Sequence, residues 1–134
     1  VSSVKLNHIA VAVNDIEQGR KTFSGLFGIT SSDVMEVPEQ KVKVCFLKLG
    51  EINIELIAPL PENDSLKKFL AKRGEGLHHI AVGVTDIEAT LESYKKSGVR
   101  LIDETPRIGA QGHRIAFVHP GSASGVLIEL EESD

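Results

Sequence analysis

Two stretches of the chain alternate apolar with small or polar positions at the period of a β-strand, and they do so in the same way. Leu6 to Val13 sends Leu6, His8, Ala10 and Ala12 to one face and Ile9, Val11 and Val13 to the other, because side chains alternate along a strand. Leu77 to Val84 repeats this, with His79, Ala81 and Gly83 set against Ile80, Val82 and Val84. The branched face of each predicts packing on a helix. The other face carries one histidine followed by small residues, which leave room for a ligand. Both strands run straight into a helix start. Asn14-Asp15-Ile16-Glu17 and Thr85-Asp86-Ile87-Glu88 each place a capping side chain, Asn14 or Thr85, three residues before a glutamate. The first helix shows Ile16, Phe23, Leu26 and Phe27, with Gly28 as its C-terminal cap. The second shows a stripe of Ile87, Thr90, Leu91 and Tyr94 and stops at Gly98.

Three further strand patterns follow each helix, about 33–37, 41–49 and 51–58 in the first half and 100–104, 113–119 and 125–131 in the second. Turn residues Pro38, Gly50, Pro106, Gly109, Gly112, Pro120 and Gly121 separate them. Between the halves, Leu66, Phe69 and Leu70 fall at helical spacing behind Asn63 or Asp64 as cap. The expected organisation is a single domain over 1–134, with module one at 4–60, a linking helix at 61–74 and module two at 75–132. The expected fold class is α+β. One helix covers only one face of four strands, so two tandem β-α-β-β-β modules are expected to form a curved, incompletely closed mixed sheet around a metal-binding cavity.

Bulk composition narrows the function. At 134 residues the chain is long enough to bury a core without disulfides, and a net charge of −4 with 25% charged residues lacks the basic excess of a nucleic-acid binder. No apolar run approaches bilayer length and no secretory leader follows Val1, so neither a membrane span nor export is expected. The single cysteine, Cys45, has no internal partner, which fits a reducing cytoplasm and a buried, inert thiol.

The chemistry lies in the matched positions. Ile52-Asn53-Ile54-Glu55-Leu56 and Val126-Leu127-Ile128-Glu129-Leu130 close the two copies alike, so His8, Glu55, His79 and Glu129 each occupy an equivalent place in its half. A carboxylate in an apolar strand facing the interior is costly unless a cation answers it. Two imidazoles and two carboxylates suit a borderline divalent ion and leave positions open for substrate oxygens. His78 has the parity of the helix-packed face. Glu131 shares the parity of Glu129 but stands near the strand end, where solvation is expected. In the loop Ile108 to Arg114, Gln111, Gly112, His113 and Arg114 are candidate substrate contacts, set against a plain turn. Lys67, Lys68, Lys72 and Arg73 read first as a solvated helix face.

Three segments carry a family resemblance: Gly76 to Val82 (GLHHIAV), Arg107 to Pro120 (RIGAQGHRIAFVHP) and Gly125 to Glu132 (GVLIELEE). With the paired modules, they make the chain similar to the vicinal-oxygen-chelate (glyoxalase/bleomycin-resistance/dioxygenase) superfamily and, within it, to the methylmalonyl-CoA epimerases. The resemblance implies His8, Glu55, His79 and Glu129 as metal ligands and Co2+ as the ion, with Zn2+, Ni2+, Mn2+ and Mg2+ open to a similar donor set. It implies an acyl-CoA substrate, a homodimer, and inversion of C2 of methylmalonyl-CoA by 1,1-proton transfer through a metal-stabilised enolate. Glu129 is then one base and Glu55 its partner. Some epimerases carry glutamine at the Glu55 position and a glutamate where this chain has Val44, which keeps Glu39 as a fallback for the second base. Other readings are a glyoxalase I (lactoylglutathione lyase) and a metal-free small-molecule-binding protein of the same fold.

Overall fold

A computed structural model describes residues 4–133. Along the chain it contains β1 (Lys5–Ala12), α1 (Ile16–Phe27), β2 (Met35–Val37), β3 (Val42–Leu49), β4 (Ile52–Pro59), α2 (Asp64–Arg73), β5 (Gly76–Val84), α3 (Ile87–Lys96), β6 (Arg107–Ile108), β7 (Arg114–Val118), a short 3-10 turn (Pro120–Ser122) and β8 (Leu127–Glu132). The fold is α+β, as expected. The chain gathers into two compact units, Ile9–His78 and Val1–His8 with His79–Asp134. The division falls inside β1 and inside β5, immediately after His8 and immediately before His79.

In the unit Ile9–His78 the strands run in the order β2-β3-β4-β1. β3 and β4 pair antiparallel along their whole length, from Val42 opposite Pro59 to Leu49 opposite Ile52. Val11, Val13, Ile16, Cys45, Leu47, Leu56 and Ala58 form its core, with Phe23 of α1 packed against them. The branched face of β1 is therefore helix-covered, as its alternation predicts. Gly19 of α1 is what brings the helix close, since a Cβ there would stand 3.1 Å from the Val13 methyls. α2 starts at Asn63, whose side chain accepts from the Leu66 amide at 2.9 Å and donates to the Lys41 carbonyl at 3.0 Å.

In the other unit the order is β5-β8-β7-β6. β5 and β8 are parallel and the remaining pairs antiparallel, so this half is mixed. Val84, Ile87, Leu91, Ala116, Val118 and Leu130 are its core, under α3. Burying each such leucine or isoleucine side chain is worth roughly 1.5–3 kcal/mol.

Two local expectations need correction. The strand expected at 100–104 reduces to a single bridge between Leu101 and Val118, and the edge strand is Arg107–Ile108 instead. The reason is local competition for Phe117: its carbonyl accepts from both Ile102 and Asp103, while the Asp103 carboxylate takes its amide at 2.8 Å. That leaves the ladder nothing to continue on. The helix caps are also one residue later than expected. Asp15 accepts from the Gln18 amide at 2.9 Å and Asp86 from the Ala89 amide at 3.0 Å, so Asn14 and Thr85 precede the cap. Gly28, at φ 66°, caps α1 with its amide on the Ser24 carbonyl, as expected.

Candidate metal centre and active site

His8 lies in β1, His79 in β5 and Glu129 in β8, where it stands across from Phe117 of β7. All three are buried, at 5–7% exposure. Strand alternation turns them to one face, and their donor atoms lie within 4.8 Å of one another. His79 Nε2 is 2.9 Å from Glu129 Oε1, His8 Nε2 is 3.5 Å from the same oxygen, and the two imidazole nitrogens are 3.3 Å apart. Donors held about 2.0–2.2 Å from a common ion are separated by about 3.0 Å at octahedral angles and about 3.4 Å at tetrahedral ones. The observed spacings bracket those values, so the residues present fit a divalent cation. Burial pushes the Glu129 carboxyl up, but the hydrogen bonds and charges of His79 and His8 outweigh it and bring it down to about 2.

Further side chains surround this trio. Asn7 Oδ1 is 2.7 Å from His8 Nδ1. Glu131 is 5% exposed, with one carboxylate oxygen 2.6 Å from His113 Nδ1 and the other 3.8 Å from His8 Nδ1. The expectation of a solvated Glu131 is overturned. Its shared parity with Glu129 was the available signal, and β7 pairing across from it keeps the strand end enclosed. Nothing in the sequence singled out Asn7. The ring of Phe117 meets His79 edge-on at 5.6 Å and is itself covered by the Arg107 guanidinium at 5.4 Å.

Glu55 belongs to the unit Ile9–His78, where it is 6% exposed in the middle of β4 and faces Phe46 of β3. Its register repeats that of Glu129 opposite Phe117. Val44 stands opposite Ile57, and Glu39 is exposed in the turn between β2 and β3. His78 packs on Phe69 of α2, ring centroids 4.8 Å apart. Of the basic residues on α2, Arg73 stacks over Phe69 and Lys67 donates to the Pro61 carbonyl.

The loop before β7 divides its residues. Gly109 donates to the His113 carbonyl and Gly112 to the Gly109 carbonyl, so these two amides close the turn. Gln111 is exposed at the tip. His113 turns onto Glu131, as above. Arg114 alternates to the helix-covered face, where Glu132 takes its Nε and Nη2 at 2.9 Å and Glu88 takes its Nη1 at 2.6 Å. Its pKa is raised further by those carboxylates, so it fastens β7 to β8 and α3. His119 caps the 3-10 turn, accepting the Gly121 amide at 2.8 Å.

Residues 7–117 match the model of the Glyoxalase/Bleomycin resistance protein/Dioxygenase superfamily. The human mitochondrial methylmalonyl-CoA epimerase is 37% identical over 130 residues, covering 96% of this chain and 74% of that protein. The ethylmalonyl-CoA/methylmalonyl-CoA epimerase of Cereibacter sphaeroides is 36% identical over 130 residues, with 96% and 97% coverage. The chain belongs to the methylmalonyl-CoA epimerase family. A solved epimerase-family structure, a Streptomyces coelicolor methylmalonyl-CoA epimerase variant in complex with 2-nitronate-propionyl-CoA, superposes with a TM-score of 0.90 at 34% identity, covering 98% of this chain and 96% of that one. In this epimerase-family enzyme the buried His8, His79 and Glu129 cluster therefore lies in a chain whose relatives include methylmalonyl-CoA epimerases. Among the described residues, no helix is long and apolar enough to cross a membrane.

Proposed function

We propose that the chain inverts C2 of methylmalonyl-CoA, a divalent ion, Co2+ in first place, being held by His8, His79, Glu129 and Glu55. The observation that carries this reading is the buried trio of donors at 2.9, 3.3 and 3.5 Å, spaced as ligands to one ion are spaced. When bound, the ion supplies positive charge against the negative charge that develops on the thioester as C2 loses its proton. Glu129 takes that proton from one face of the carbon and Glu55 returns one to the other. Two features support the pairing: both carboxylates are buried in apolar strands, and both stand opposite a phenylalanine at equivalent positions of the internal repeat. Gln111 and His113 are the substrate contacts retained from the loop, while Arg114 holds the strand that presents them. The reading includes a homodimer and a reducing cytoplasm, which suits the buried Cys45 thiol.

Deuterium wash-in at C2 of methylmalonyl-CoA in D2O tests the reaction. The purified chain with Co2+ is expected to exchange C2, with Glu129→Gln slowing exchange by about 10²–10⁴-fold. Turnover of a glutathione hemithioacetal without C2 exchange would establish the glyoxalase I reading instead. Undiminished exchange after chelation would remove the metal from the mechanism.

A further inference from the structure

We propose that Glu131 and His113 form a positioning pair for the metal centre, Glu131 setting a negative charge behind the His8 imidazole and His113 holding Glu131 in place. This rests on the metal-dependent reading above. An ionised carboxylate only accepts hydrogen bonds, and a buried one is costly unless donors meet it. Glu131 is 5% exposed and has two imidazoles facing it, His113 Nδ1 at 2.6 Å on one oxygen and His8 Nδ1 at 3.8 Å toward the other. Asn7 Oδ1 is the hydrogen-bond acceptor at that His8 nitrogen, at 2.7 Å, and the Glu131 charge stands behind it. The Asn7 acceptor puts the ring hydrogen on Nδ1 and leaves the lone pair on Nε2, the atom turned toward His79 and Glu129, while Glu131 acts on the ring by its charge. The Asn7 hydrogen bond fixes the ring angle, and the negative charge of Glu131 behind the imidazole makes it a better donor to an ion.

His113 ties this arrangement to the surface. Its side chain is 45% exposed, yet its backbone carbonyl is fixed by the Gly109 amide at 2.9 Å and its ring by Glu131. The turn carrying Gln111 is thus linked, through His113 and then Glu131, to the imidazole of His8. A shift of that turn would move the charge that faces a ligand it does not touch.

The test is Co2+ binding by the full chain, measured by chelator competition and by the visible ligand-field spectrum of bound Co2+. Glu131→Gln and His113→Ala are expected to weaken Co2+ about 10- to 100-fold and to change the spectrum, with His113→Gln, which keeps a donor for Glu131, recovering part of the loss. Because His113 is half-exposed, His113→Ala carries the test if Glu131→Gln does not fold. Variants that bind Co2+ like the parent with an unchanged spectrum overturn the pair, even if KM for methylmalonyl-CoA rises, because His113 would then only touch substrate. A parent chain that binds Co2+ while the variants match it leaves the metal reading standing. A parent chain that binds no divalent ion removes both.

Discussion

At Glu129 and Cys45, burial acts on two acids with opposite outcomes. Glu129 loses solvation but faces two imidazoles, and pairing wins, so its carboxyl falls from 4.5 to about 2. Folding then favours the ionised form. The resulting stability is whole above the ordinary value of 4.5 and is lost as the pH falls toward 2. Cys45 has no such partner: enclosed among Val11, Leu47 and Leu56, its thiol is pushed up to about 11, chiefly by burial. Folding here favours the protonated form, so the contribution is present below the unfolded value of 9.0 and disappears as the pH rises through 11. Native protein at pH 8 is therefore expected to resist a thiol reagent that labels the denatured chain at once; equal labelling rates would mean that Cys45 is accessible. That His8, His79 and Glu129 come together was legible at this scale because the repeat doubled each signal. Glu131 was not, because parity without burial could not tell a lining carboxylate from a solvated one.

Among the elements, helix starts offer the sharpest comparison. Asp15 and Asp86 accept amide hydrogens at the first turns of α1 and α3, whereas Asn14 and Thr85 do not. Asp15→Ala is expected to cost about 1 kcal/mol by chemical denaturation and Asn14→Ala much less, since a lost N-cap typically costs 0.5–2 kcal/mol. Equal losses would show that both side chains share the work. Sequence pattern located both helices and missed the cap by one residue, because two adjacent capping types compete and only backbone geometry decides. The second half's missing strand has a similar cause. A strand is expected from Arg100 to Glu104, yet the Asp103 side chain takes the Phe117 amide that a neighbouring strand would need. β7, β8 and α3 are joined instead through Arg114, Glu132 and Glu88. Glu132 is held below its ordinary range by the Arg114 hydrogen bond and by the Ile87 amide, so this clasp persists above pH 4.5 and loosens on acidification.

For the whole molecule, an ion that binds only the folded chain adds RT ln(1 + [L]/Kd), about 2.7 kcal/mol at a hundredfold excess over Kd. Thermal unfolding is therefore expected to shift upward with Co2+ and return with chelator, and the shift to shrink at acid pH as the imidazoles must shed protons to bind. An unchanged midpoint at saturating Co2+ would contradict the site. The α+β class and the repeated module were readable because strand alternation, caps and turns agreed. What alternation could not reveal is where compact units begin, since that depends on long-range packing. His8 stands in the first sequence copy, yet it folds with His79–Asp134. A gene fragment encoding the second copy by itself would thus produce a polypeptide with one imidazole and one carboxylate of the trio, while the fragment before it would carry away the missing imidazole. The repeat is a unit of sequence, and the trio does not divide along it.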